Sequence, residues 1–149
     1  MSDPRVSDMS PADLDDVERI AAEGFRPPWT RAHFVEELGR AVSRCRVARA
    51  EPGGPAIGYA ISWIVAGEQT LLSIAVDPAH RRAGLGHALL DDLLDEGRRR
   101  GATECFLEVR PSNEAAVALY RAHGFDVFDV RPRYYDDGED GWIMRRAAA

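Results

Sequence analysis

The sequence predicts an α/β (α+β) domain, a mixed central sheet of six to seven strands with helices on both faces. Three observations lead there. Strand-like runs at 44–50, 57–65 and 70–76 are joined by short turns, Pro52-Gly53-Gly54-Pro55 and Gly67-Glu68, so they predict an antiparallel meander. A helix-patterned segment, 85–100, separates the third of these from a further strand at 103–110. A crossover of that length predicts a parallel pair. Before the meander, Leu14, Val17, Ile20 and Ala21 recur at helical spacing and predict a buried stripe.

At 149 residues the chain is read as one domain, large enough for a core without staples. The net charge of −6 argues against a nucleic-acid binder, and no apolar run approaches membrane-spanning length. The start, Met1-Ser2-Asp3-Pro4-Arg5, leads into no apolar core, so no signal peptide is expected and the cytoplasm is the expected location. Cys45 and Cys105 lie in separate strand runs, without metal or redox spacing, and read as reduced thiols. The histidines are scattered and no metal site is expected. All 19 positive residues are arginine.

Taken in order, residues 6–9 form a short first strand. Ser10-Pro11-Ala12-Asp13 opens the first helix with a capping residue, a first-turn proline and an acid three residues on; Gly24 ends it. Pro27-Pro28-Trp29-Thr30 is a stiff turn into a second helix, with Thr30 as cap and Trp29 stapled on Phe34. Trp29 also stands where it could wall a substrate groove. In the third helix Leu85, Leu89, Leu90, Leu93 and Leu94 line the buried side, while Asp91, Asp92, Asp95 and Arg98 lie opposite. Glu96 with Arg100 and Asp95 with Arg99 are i,i+4 pairs, and Gly101 stops the helix. Ser112 or Asn113 caps a fourth helix carrying Asn113, Ala116, Val117 and Tyr120 on one stripe. A strand at 125–130, an acidic loop at 134–141 and a last strand at 142–144 close the chain.

The most informative stretch is His80-Arg81-Arg82-Ala83-Gly84-Leu85-Gly86-His87, between a strand and a helix. Glycines there admit close approach, and the free N–H groups of the helix's first turn suit an anion. A P-loop would need a lysine, which the chain lacks. A dinucleotide fingerprint would need glycine at position 89, which is Leu89. Arg81-x-x-Gly84-x-Gly86, preceded by Ile74-Ala75-Val76-Asp77-Pro78, resembles the acyl-CoA loop of the GNAT acetyltransferase superfamily. That resemblance implies the GNAT fold, acetyl-CoA as co-substrate and no metal. It assigns Ile74, Ala75 and Val76 to the pantetheine arm, and Arg82, Ala83, Gly84, Leu85, Gly86 and His87 to the pyrophosphate.

Leu107-Glu108-Val109-Arg110-Pro111-Ser112-Asn113-Glu114, Leu119-Tyr120, Gly124-Phe125, and Tyr134-Tyr135 with Gly138-Glu139-Asp140 resemble the RimI branch of that superfamily. Its members acetylate the N-terminal alanine of a small-subunit ribosomal protein, so such a protein is the implied partner, with no nucleic acid or membrane. Pro27 stands where the branch often has histidine, and Gly141 where it prefers alanine.

The reaction needs a free amine and a proton for the leaving thiolate. Glu108, in a mainly apolar strand, is the candidate base, with partial burial expected to raise its pKa. Tyr120 is the candidate acid, and backbone N–H groups near Val76 are candidates for the oxyanion. Asn113 is implied in cofactor binding, and Trp29, Tyr134 and Tyr135 in acceptor binding. Each has a plainer reading. Glu108 would pair with Arg110 or Arg133, Tyr120 would be core, Asn113 a cap, and the acidic loop solvated. Two other functions fit the same residues: an acetyltransferase for another amine, or an acyl-CoA sensor without catalysis.

Overall fold

The meander forms as its pattern predicts. Strands β1 (Val6–Asp8), β2 (Ser43–Arg49), β3 (Ala56–Val65) and β4 (Glu68–Val76) pair antiparallel in the computed structural model, which describes residues 5–24 and 28–147. Pro27 lies outside the described residues, as do the side chains of Arg82 and Ala83. The turn into β4 falls on Ala66 and Gly67, both at positive φ, so β4 begins two residues before 70.

Helix α3 (Leu85–Arg99) makes the crossover, and β5 (Glu104–Val109) returns parallel to β4. Helix α4 (Glu114–Ala122) leads to β6 (Asp126–Arg131), and β7 (Gly141–Ala147) inserts between β5 and β6. The sheet has seven strands in the order β1-β2-β3-β4-β5-β7-β6. Pairing with β5 carries β7 three residues beyond the expected 144, while pairing with β6 reaches Arg145.

Strand alternation divides the core into two layers. Val47, Tyr59 and Ile61 face α1 (Leu14–Gly24) and α2 (Arg31–Leu38), meeting Val17, Ile20, Ala21 and Phe34. Ala60, Leu71, Leu107 and Met144 face α3 and α4, where Leu85, Leu89, Leu90 and Leu93 are almost wholly buried. The expected caps form: the Asp13 carboxylate accepts the Ser10 N–H (3.0 Å), and the Asn113 carbonyl accepts the Ala116 N–H (3.2 Å).

Two charge assignments on α3 change. Asp92 is buried against the sheet, where both its oxygens accept from the Arg46 guanidinium (2.8 and 3.0 Å). A buried carboxylate with a bidentate partner sits inside the apolar stripe at little net cost. Asp95 pairs with Arg98, while Glu96 holds Arg99 and Arg100. Cys45 is half-buried and Cys105 buried, both free. No helix among the described residues is long and apolar enough to cross a membrane.

Candidate active site

The centre of the molecule is a gap between two parallel strands. β4 and β5 pair from Glu68 opposite Glu104 to Leu71 opposite Leu107, and there the ladder stops. The cause lies on the other edge of β4. Ser62 pairs with Leu71 and Ile61 with Ser73, so Leu72 is an extra residue, a β-bulge. A bulge bends its strand and raises the local twist, which turns the rest of β4 away from β5. The β5-facing backbone of residues 72–76 therefore has no strand partner, a row of donors and acceptors open to a ligand. Ile74, Ala75 and Val76 stand on this edge. Their side chains pack, partly buried, against the two cores, Ile74 and Val76 on the α3 side and Ala75 on the α1 side, and the unpaired backbone lines the edge between them.

Next comes a 3-10 segment, Pro78–Ala83, and then Gly84 at φ 74°, which turns the chain into α3. No side chain caps this helix. The N–H of Ala88 makes the first helical bond, to the Gly84 carbonyl (3.0 Å), leaving the N–H groups of Leu85, Gly86 and His87 ahead of it. A Cβ on Gly86 would make only ordinary contact with Leu119 (3.5 Å), so internal packing does not demand glycine there. Leu85 belongs here by its backbone alone, because its side chain is buried in the core. His87 is exposed, and its Nδ1 lies 2.9 Å from Nε2 of His123 at the end of α4.

Tyr120, on α4, belongs to the core layer on the α3 side of the sheet. It is buried edge-on to Phe125 (6.0 Å), and its hydroxyl has no hydrogen-bond partner among the described residues. Burial pushes its pKa well up, so the phenol keeps its proton at neutral pH.

Glu108 is on the opposite face. There β5, β7 and β6 carry no helix, and a cleft of about 400 Å3 is lined by Leu72, Phe106, Glu108, Phe128, Asp129 and Ile143. Glu108 is exposed, so the expected partial burial is absent. It pairs with neither Arg110 nor Arg133; the Tyr134 hydroxyl lies beside it, and the carboxylate raises that phenol's pKa. Tyr135 stacks edge-on against Tyr134 (5.2 Å) beneath the Arg110 guanidinium (3.9 Å). Arg110 also holds Asp137 (2.8 Å) and Glu139 (3.0 Å), and Asp140 accepts the Arg133 N–H (3.1 Å). The acidic loop is thus largely tied to its own chain. Gly141 has a steric reason: a Cβ there would lie 2.7 Å from the Tyr134 ring. Trp29 packs on Phe34 (5.3 Å) as a staple and shares a core layer with Leu72 and Ala75.

The gap therefore has an unpaired backbone edge and an open carboxylate on one face, and the protonated phenol of Tyr120 lies in the core layer on the other side of the sheet. Among the described residues no three His, Cys, Asp or Glu side chains converge to hold a metal ion. Sequence reasoning missed the three bulges, at Ile57 in β3, Leu72 in β4 and Phe128 in β6, since a bulge is a mismatch between two strands. Residues 14–125 match the Acetyltransferase (GNAT) family. The chain belongs to the GNAT acetyltransferase family. It is an acetyl-CoA-dependent N-acetyltransferase with the fold expected of that family. It is 37% identical over 142 residues to ribosomal protein bS18-alanine N-acetyltransferase of Escherichia coli, covering 93% of this chain and 94% of the relative. It is 40% identical over 148 residues to the N-alpha-acetyltransferase RimI of Mycobacterium tuberculosis, covering 95% and 90%. The crystal structure of the Escherichia coli S18-alanine enzyme superposes with a TM-score of 0.83 over 95% of this chain and 92% of that one.

Proposed function

We propose that this protein transfers the acetyl group of acetyl-CoA to the N-terminal amine of an alanine-starting small-subunit ribosomal protein in the cytoplasm, by direct attack on the thioester. The observation that carries this is the 37% identity, sustained over 93% of the chain, to an enzyme whose name specifies that acceptor.

In this reading the loop N–H groups of residues 84–87 hold the pyrophosphate, with Arg82 and Ala83 in the same loop. The backbone of 74–76 holds the pantetheine, and Asn113 closes that side. The thioester carbonyl lies against the unpaired N–H groups of β4, which stabilise the oxyanion. The acceptor enters from the open face past Trp29, Tyr134 and Tyr135. An N-terminal amine has a pKa of about 8 and must lose a proton to attack. Glu108, beside Tyr134, takes that proton, directly or through water. As the C–S bond breaks, Tyr120 gives its proton to the departing thiolate.

Peptides differing only in their first residue, incubated with enzyme and acetyl-CoA and read by mass spectrometry, test the acceptor. Acetylation at the α-amine of the alanine peptide is expected. Unmodified alanine peptides beside acetylated polyamines or lysine side chains would overturn it.

A further inference from the structure

Two buried hydrogen bonds between β3 and β4 bracket the Leu72 bulge, one on each face of the sheet. On the α3 side the Gln69 amide donates to the Ser62 hydroxyl (3.1 Å) and to the Leu93 carbonyl of α3 (2.8 Å). On the α1 side the hydroxyls of Tyr59 and Ser73 share a hydrogen bond of 2.8 Å. All four residues are buried. The Tyr59 ring stands edge-on to Phe34 (5.1 Å), which fixes where its hydroxyl ends.

The bulge changes which way β4 faces. Ser73 pairs with Ile61 of the α1 layer, and Leu72 packs against the same layer, so two consecutive residues point the same way. In a regular register every residue from 73 to 76 would be reversed. Ser73 and Ala75 would turn to the α3 layer, and Ile74 and Val76 to the α1 layer. The backbone groups would be exchanged as well, because successive residues of a strand address opposite neighbours. Those now facing the gap would face β3. Ile74, Ala75 and Val76 are all apolar and suit either layer, so packing alone separates the two registers weakly. The Ser73 hydroxyl is the group in this segment that tells the layers apart. In the regular register it would leave Tyr59, and the enclosed Tyr59 hydroxyl would lose its partner.

We propose that Tyr59 and Ser73 are positioning residues for acetyl transfer: their hydrogen bond fixes the register of β4 past the bulge, and with it the N–H groups that meet the thioester of acetyl-CoA. This rests on the open edge of β4 being the acyl-donor site. Both residues act through the backbone of 72–76.

Steady-state kinetics with acetyl-CoA and an alanine-starting peptide, on Tyr59→Phe, Ser73→Ala and the double variant, tests this. Each single change should lower kcat by about tenfold, because a displaced donor loses its aim at the oxyanion, while the acetyl-CoA KM stays within about twofold. The double variant should fall no further than the larger single loss, since both changes remove one bond; independent effects would multiply to about 100-fold. Ile20→Val removes a methyl group from the same layer and separates position from stability: its Tm should fall with kcat unchanged. Hydrogen exchange supplies a readout that needs no acceptor. Acetyl-CoA should protect the amides of 72–76 less in Tyr59→Phe and Ser73→Ala than in the wild type. Should Ser73→Ala not fold, Tyr59→Phe, which keeps the ring, decides alone. Wild-type kcat or wild-type protection of 72–76 in Tyr59→Phe overturns the inference, as does a double variant whose loss is the product of the singles. If acetyl-CoA binds the wild-type protein without protecting 72–76, the donor site itself is overturned.

Discussion

The two faces of the gap are built differently. On the α3 side Tyr120, buried on Phe125, and Leu85, which anchors the loop, are fixed by the core, while exposed Asn113 caps α4. On the open face Glu108 lies beside Tyr134, and Arg110 ties down the loop through Asp137 and Glu139, with solvent on the outside. A group locked by packing has its proton state set by burial, as the phenol of Tyr120 does. A group held by surface bonds has its position set by neighbours and screened by solvent. Packing therefore sets the α3 side, and surface bonds set the open face.

The largest effect that distinguishes the faces is expected at Tyr120. Tyr120→Phe keeps the ring and removes the proton, so kcat should fall by about 100-fold or more while the Kd for acetyl-CoA stays within about twofold. Steady-state rates and calorimetry on one preparation check this. Glu108→Gln should cost less, about tenfold in kcat/KM at neutral pH, because an exposed base assists an amine that is partly free already. The deficit should shrink above about pH 8, where the amine deprotonates unaided. A rate profile in which the deficit persists at high pH would remove Glu108 from the base role.

The layout of the donor side was legible before the fold was known. Period-two and helical patterns located the strands and α3, and glycines at 84 and 86 marked a loop that must admit close approach. What stayed hidden depends on pairs of distant residues. The Leu72 bulge exists only as a mismatch with β3, and the phenol beside Glu108 comes from a loop 26 positions on. Asp92 looked solvent-facing because its partner, Arg46, lies on a strand far away in sequence.

Smaller effects sharpen the acceptor side. Gly141→Ala pushes the Tyr134 ring from its place beside Glu108, so the acceptor KM should rise by about three- to tenfold with the acetyl-CoA KM unchanged. A matching rise in both constants would mean that the faces are not independent. The smallest effect concerns pH. Hydrogen bonds from the Glu139 N–H, and then the Arg110 guanidinium, hold Asp137 below the usual carboxylate range; those from Ser112, and then Arg110, do the same for Glu139. Lowered folded-state values mean that the loop's attachment is present above about pH 4 and is lost as pH falls through them. Amide exchange of residues 134–141 should thus stay flat to about pH 4 and rise, after correction for intrinsic rates, below it. In Arg110→Ala it should be raised throughout.

The division of labour across the gap is tested most directly by hydrogen exchange on the wild-type enzyme with acetyl-CoA alone, then with CoA and an alanine-starting peptide. Acetyl-CoA should protect the amides of 72–76 and 84–88 and leave 134–141 unchanged, and the peptide should then protect 134–141. Protection of 134–141 by acetyl-CoA alone, with 72–76 still exchanging freely, would contradict the account.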